Sequence, residues 1–481
     1  MKQLLLILLI TFSGYSQTLI GDKLYGEVAE DIFGEHVAIS SDGNTIIVSA
    51  RLNDQNADLC GSAVVYKNIT NVWTQVGARF YGTSYLEGVG KNVAISADGS
   101  IIAIAANKLD NGSSQSEGVV YVYQNILDNW VLLGQPILGK NYGDFAGTNI
   151  DLSSDGTIIA ITSPGNDDNG SNSGQLRIFQ YISNTWTQIG QDINGLNALD
   201  ALGYDVSLSN NGTRVAVSAI NDLNNNQTGF VKVFDYINNI WTQIGQTING
   251  IAAEDRFGTS IALSGNGNTL IIGATGSDVN GSNSGAVSIY DYVSNNWVQA
   301  GQTIYGTSSF GWEVSITEDG NIIATGSLFI NYYKGQIKIF QRNSNNWIQI
   351  GNNIDGDFNY DNFGTNMISS DGTTIITGAQ YNDFIGSNAG QVKVYDLTSL
   401  LNSNGFVQAN FLVYPNPTYE TLTIELKNNL ELKKVNFYNT LGQIVKTSKN
   451  TTTNVSDLAK GTYFVEIITN QGKATKTIVI E

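Results

Sequence analysis

The chain has one cysteine, one histidine, two methionines and four prolines in 481 residues. With Cys60 alone no intramolecular disulfide can form, so stability must come from burial and strand pairing. With His36 alone no Ser-His-Asp arrangement can be assembled without it. His36 lies in a strand pattern, where a packed or rim position is the plainer reading, and Cys60 at a strand start reads as a small buried hydrophobe. There is no Cys/His metal cluster, no phosphate-binding loop and no S-x-D-x-G-x-x-W box. Only 14 % of residues are charged. Long apolar runs are missing after "MKQLLLILLITFSGYS", whose Lys, apolar stretch from Leu4 to Phe12 and small polar end read as a secretory signal peptide over 1–16. That stretch is too short for a membrane-spanning helix, so the mature chain is expected to be soluble.

The charge is unevenly spread. From Phe411 onward there are 8 Lys and 6 acids; with Lys2 also set aside, 15 Lys+Arg face 36 Asp+Glu, a balance of −21 over 17–410. Such a surface repels nucleic acid and anionic membrane. Gly is plentiful, 52 residues, and so are aromatics and β-branched residues, a turn-rich β composition.

A repeat explains that composition. A glycine recurs at Gly34, Gly90, Gly147, Gly203, Gly258, Gly311 and Gly364, spaced by 56, 57, 56, 55, 53 and 53 residues and often preceded by Phe. Nine residues on, an Asp-Gly or Asn-Gly pair follows in six units (Asp42-Gly43 in the first), and Asp371-Gly372 comes one residue early in the seventh. Asp-Gly between apolar runs predicts a hairpin with a type I′ turn. The early seventh pair predicts a deletion or a lost bulge. A third strand reads Gly-x-x-x-x-aromatic, and a Trp seven residues later opens a fourth at Trp73, Trp130, Trp186, Trp241, Trp297 and Trp347. Four short strands per unit of about 55 residues predict a seven-bladed β-propeller over 17–397. The seventh unit has no fourth strand after Tyr395, whereas "QTLIGDKLYG", from Gln17, reads as a fourth strand lacking its first three. The N-terminal strand is therefore expected to complete the last blade and leave no open edge.

The order FG, V-x-x-S-x-DG, an apolar strand ending GA, then G-x-V-x-V-Y resembles the FG-GAP repeat of integrin-α-type propellers. Calcium-binding units of that family carry D-x-D-x-D-G between the first two strands; here only a tight turn such as "SSDGN" stands there, so that calcium site is not carried over.

After a polar linker at 398–410 the chain changes character. Alternating strands with Gly and Asn turns over 411–481 predict a small Ig-like β-sandwich. Tyr414-Pro415-Asn416-Pro417, Leu441-Gly442-Gln443, Lys460-Gly461-Thr462-Tyr463 and a Lys-rich last strand resemble the C-terminal sorting domain of Bacteroidetes type IX secretion cargo. The resemblance implies the type IX machinery as a partner, passage through the outer membrane and an extracellular or surface location.

Two sets of polar residues stand out as site candidates. Three residues before the recurrent glycine stand Asp31, Glu87, Asp144, Asp200, Asp255, Ser308 and Asp361; these carboxylates are expected chiefly to accept backbone N–H bonds at the turn leading into each blade. The loops between second and third strands are rich in Asp, Asn and Gly: "NDDNGSNSG" and "SDVNGSNSG" offer Asp167, Asp168, Asn169, Asp278 and Asn280, hard oxygen donors suited to calcium or to sugar hydroxyls. No catalytic residue is singled out. The expectation is a secreted or cell-surface binding and adhesion module with a glycan or protein ligand. Its alternatives are an extracellular polysaccharide lyase or hydrolase and a structural surface component.

Overall fold

The second strand of each repeat is apolar on both faces, which requires protein on each side of it. In the computed structural model of the protein, which describes residues 17–106, 116–220, 228–401, 411–426, 431–440, 442–469 and 472–481, stacked sheets meet that requirement. The described residues fall into two compact units, one Thr18–Asp396 and the other holding Leu397–Glu481. The signal-peptide reading at 1–16, most of the loop at 221–229 and linker residues 402–410 lie outside the described residues.

The first unit contains seven antiparallel sheets among the described residues. Sheet 1 is Val37–Ile39, Thr45–Ala50, Ser62–Ile69 and Val72–Gln75, and five more sheets repeat this order. Thr45–Ala50 is buried along its whole length, as are Ile158–Ser163 and Thr374–Ala379 in sheets 3 and 7. In sheet 7, Phe363–Ile368, Thr374–Ala379 and Gln391–Asp396 are joined by the N-terminal segments Thr18–Leu19 and Leu24–Tyr25, with Thr18 opposite Asp396 and Leu24 opposite Val392. The borrowed strand sits where the repeat lacks one.

Apolar clusters lie between sheets: Ile47 and Val65 pack with Val93 and Ile104, and Val392 and Val394 pack with Ile46 and Val64. The first strands follow one another around a ring, and Phe363–Ile368 returns beside Val37–Ile39. Each fourth-strand Trp also reaches the preceding sheet. Trp73 Nε1 donates to Ile20 O at 2.9 Å, and Trp130, Trp186, Trp241 and Trp347 donate likewise to Val76, Leu133, Ile189 and Ala300. Trp297 lacks that bond but keeps the main-chain pair with a Gln amide, here Gln246, that Trp186, Trp241 and Trp347 also make.

The Asp-Gly turns are not type I′. Only Gly43 has positive φ (+72°), and its N–H donates to Ser40 O at 3.0 Å, closing a type I turn with a left-handed glycine after it. The Asp42 carboxylate caps this turn, accepting from Ser40 Oγ and Asn44 N, so Asp is retained for hydrogen bonding and not for left-handed φ. Type I′ geometry appears instead between third and fourth strands, where Thr70-Asn71 and Asn238-Asn239 are both left-handed. These turns had no Asp-Gly signature to mark them.

The turns after the first strands also join sheet to sheet. Ser41 N donates to Ala97 O at 2.9 Å, and the series continues through Ala97 to Ser154, Ser154 to Asn210, Asn210 to Gly265, Gly265 to Glu318 and Glu318 to Ser370. The ring is closed by hydroxyls, Ser370 Oγ lying 2.8 Å from Ser41 Oγ. The seventh sheet also differs in register. Gly34 and its five counterparts up to Gly311 have φ of +86° to +99°, but Gly364 does not share it, and Thr365 pairs directly with Gly378. The residue missing before Asp371-Gly372 shortens the bulge, which keeps one extra residue between Phe363 and Thr365 where sheet 5 has two between Phe257 and Ile261.

In the second unit, Phe411–Tyr414, Thr421–Leu426 and Thr452–Asn454 form one sheet, and Leu432–Tyr438, Ile444–Ser448, Gly461–Thr469 and Gly472–Ile480 a second. Leu422, Ile424, Phe437, Val465 and Ile478 share their core. In the Tyr414-Pro415-Asn416-Pro417 loop, Asn416 ties itself to the last strand, donating to Thr477 O at 3.1 Å and accepting from Val479 N at 2.9 Å. Gly442 (φ +77°) and Gly461 (φ +149°) take backbone conformations that a side chain disfavours; Leu441 lies outside the described residues.

Removing residues 17–26 is expected to expose the edge of Gln391–Asp396. The melting temperature should fall by more than about 5 °C and the protein should self-associate, compared with the 17–481 chain by calorimetry and sedimentation. An unshifted melting temperature and a clean monomer would show that closure does not matter.

Candidate functional site

The loops between second and third strands and those linking successive sheets lie on one face, because they hydrogen-bond to each other. Glu30 N donates to Ser387 O at 2.7 Å, Leu199 N to Ser171 O at 2.8 Å and Tyr360 N to Tyr332 O at 3.0 Å. The recurrent carboxylates stand at these junctions. Asp31 is fully buried; Oδ2 accepts from Glu27 N and Val28 N at 2.7 and 3.0 Å, and Oδ1 from Asn53 Nδ2 at 2.9 Å. Asp144 accepts from Asn141 N and Asn166 Nδ2, and Asp361 from Asp357 N, Phe358 N and Asn382 Nδ2. Glu87 receives Thr83 N and Ser84 N, Asp200 receives Leu196 N and Asn197 N, and the half-buried Asp255 receives Ala252 N. Each carboxylate thus satisfies backbone donors, and in three sheets it also clamps an asparagine from the facing loop; at Asp361 burial raises the carboxyl. With at least one oxygen engaged in each and all but Asp255 buried, these acids chiefly shape the face.

The proposed calcium donors do not converge. Asp167, Asp168 and Asn169 lie in the sheet 3 loop, and Asp278 and Asn280 in that of sheet 5, with sheet 4 between them. Asp167 Oδ1 accepts from Asn172 N at 2.7 Å, and Asp278 Oδ1 from Asn283 N at 2.7 Å, the same closure of the same loop. Asp168 is paired with Lys140 at 3.5 Å and accepts from Gln175 Nε2 at 2.9 Å. Asn169 and Asn280 donate to Gly195 O and Gly306 O. Among the described residues no group of three His, Cys, Asp or Glu side chains could hold a metal ion. The donor set does not fit a single cation.

The ring encloses a central cavity of about 540 Å³, lined by first-strand residues of all seven sheets. Four carboxylates that the sequence did not single out line it, Glu35, Asp151, Asp205 and Glu313. Asp151 accepts from Leu152 N and Leu208 N, and Asp205 from Val206 N and Ile261 N, so each bridges to the next sheet. Burial pushes both carboxyls up to about 7. Glu313 is pushed to about 8 by burial and by the nearby charge of Asp205. At the same mouth Arg51 makes a two-pronged pair with Glu35 at 2.8 and 3.0 Å, and burial holds the half-buried His36 down at about 4. Cys60 is fully buried with Sγ on Asn53 O at 3.3 Å. Cys60 is thus a packed group, and His36 is a half-buried group on the cavity lining.

The sequence also passed over the sixth loop, "LFINYYK", which replaces the Asp/Asn/Gly pattern with aromatic residues at 329, 332 and 333. That departure from the repeat was the available signal.

Comparison with known proteins assigns both regions. Residues 412–481 match the family described as secretion system C-terminal sorting domain, and residues 247–290 match the FG-GAP repeat. The chain carries a sorting domain of type IX cargo and at least one FG-GAP repeat, and it is a secreted or cell-surface protein. No curated protein matches the chain in sequence. Among solved structures it is similar to the Kuenenia stuttgartiensis hydrazine synthase (11 % identity, TM-score 0.49), covering 78 % of this chain and 98 % of that one. It is also similar to the Dos1 propeller (12 % identity, TM-score 0.48), covering 79 % and 96 %. Likenesses this distant carry no argument about what the chain binds. No helix among the described residues is long and apolar enough to cross a membrane.

Asp144→Ala should leave the Asn141 N–H and the buried Asn166 amide without their acceptor, at a cost of about 2–3 kcal/mol, read as a lower urea midpoint at unchanged m. Stability should also rise as pH falls from 8.5 to 6.5. The native state then takes up protons on Glu313, Asp205 and Asp151, which the unfolded chain binds only near pH 4, for at most about 1.4 kcal/mol per pH unit per group. Between pH 6.5 and about pH 5 the rise should continue, with His36 offsetting only one of the three carboxyl protons because it binds its proton more weakly in the fold than in the unfolded chain. Melting curves of Glu313→Gln should show a shallower slope above pH 6.5.

Proposed function

We propose that 17–397 is a seven-bladed β-propeller acting as a binding and adhesion module, exported by the type IX machinery after removal of a signal peptide at 1–16. Its ligand is an extracellular glycan or protein held on the loop face. The domain at 411–481, an Ig-like sandwich in this reading, supplies the export signal. The observation that carries the reading is the joining of a closed ring of repeated sheets, whose recurrent acids are spent on shaping one loop face, to a sorting domain. A rigid ring with loops from seven sheets on one side is a surface for recognition.

A screen of immobilised glycans and matrix proteins with residues 17–481, with and without calcium, should give saturable binding without turnover. Release of reducing ends or unsaturated products from any glycan would replace this reading with an enzyme; no binding to either set would leave a structural component. Deleting 411–481 should retain the folded ring in the periplasm of a type IX-competent host, checked by fractionation, and its appearance outside the cell would separate export from the tail.

A further inference from the structure

The loop face is not uniform. Between Ile322–Ser327 and Gln336–Asn343, sheet 6 places Phe329, Tyr332 and Tyr333, and the lead-in to sheet 7 adds Tyr360. Trp312 and Phe329 meet edge to face at 6.0 Å, Phe329 and Tyr333 at 5.2 Å, and Tyr333 and Tyr360 lie near-parallel, 19° apart, at 6.0 Å. These rings are not core. Phe329 is 38 % exposed, Tyr333 47 %, Tyr360 63 % and Tyr332 76 %. The inner end of the row, Trp312, lines the central cavity beside Glu313.

The arrangement is held at a cost to stability. Asn331, Tyr332 and Tyr333 have φ of +50°, +59° and +60°, three successive side-chain-bearing residues in left-handed conformation. Left-handed backbone is unfavourable for residues that carry a Cβ. The neighbouring loop fixes them, Tyr360 N donating to Tyr332 O at 3.0 Å and Asn362 N to Tyr333 O at 2.8 Å. The "NDDNGSNSG" loop serves the same connection without exposed rings. Strained backbone and exposed aromatic faces together mark a surface kept for a ligand.

We propose that the Trp312–Phe329–Tyr333–Tyr360 row binds a neutral saccharide chain, an inference that rests on the binding-module reading above. The C–H faces of a pyranose pack on flat aromatic rings, while its hydroxyls find partners in the tyrosine hydroxyls and in Glu313 at the cavity mouth. Charge selects against the alternatives. A balance of −21 over 17–410 repels sulfated or uronate glycans, and it equally opposes a second copy of this chain on the patch.

The test titrates the 17–481 chain with neutral gluco-, xylo- and manno-oligosaccharides and with sulfated and uronate oligosaccharides, by calorimetry and Trp fluorescence. Tyr333→Ala/Tyr360→Ala should weaken a neutral ligand at least tenfold, Tyr333→Phe/Tyr360→Phe should bind within about threefold of the parent, and Asp167→Ala/Asp278→Ala should be unaffected. If the Ala pair does not fold, ¹⁹F-tyrosine signals assigned through the Phe variants should shift on adding sugar to the parent. Neutral-sugar binding that ignores the tyrosine pair overturns the inference and leaves the binding module standing; so does binding of protein or acidic glycan only. Self-association lost in the Ala pair would make the row an interface between copies. No binding of any kind overturns both readings.

Discussion

Antiparallel pairing of Thr18–Leu19 and Leu24–Tyr25 with Gln391–Asp396 is the contact on which the first unit depends. Every other sheet is built from consecutive residues and so is local in sequence; this one joins the two ends of the unit. Without it Gln391–Asp396 would be an open edge, and the apolar faces of Val392 and Val394 would lose Ile20 and Leu24. The central cavity also depends on closure, since residues from sheet 7 and from sheet 1 line the same space.

Within the closed ring the polar chemistry divides by location. On the loop face the carboxylates accept backbone N–H groups and so shape the turns. In the cavity, Asp151 and Asp205 accept comparable backbone bonds, yet desolvation outweighs them and raises both carboxyls. The same side chain is thus a turn-former at one site and a proton-binding group at another.

The repeat was legible because turns and burial recur at fixed spacing: the glycines fall on equivalent places in seven sheets, the tryptophans and the Asp-Gly or Asn-Gly pairs in six, and the missing fourth strand pointed to its substitute. The early Asp371-Gly372 likewise marked the one-residue deletion that shortens the bulge at Gly364. What escaped had no one-dimensional mark. Asp-Gly satisfies either a type I turn followed by a left-handed glycine or a type I′ turn, and the Asp42 hydrogen bonds that decide between them are visible only in three dimensions. Asp151, Asp205 and Glu313 sit at or beside first strands whose other residues are apolar or small, and only ring closure brings them to one space. Loops read as calcium donors instead spend Asp167 and Asp278 on their own closure, since a short Asp/Asn/Gly loop must first satisfy its backbone.

The borrowed strand also sets an order of events in the life of the chain. Thr18–Leu19 and Leu24–Tyr25 are made early in the chain, but their partner is complete only when Asp396 has been synthesised. Six sheets can pair as they emerge, each from its own residues, while the seventh must wait for both ends. The unit is therefore a row of sheets with two unsatisfied edges until synthesis passes residue 396, and a ring only afterwards.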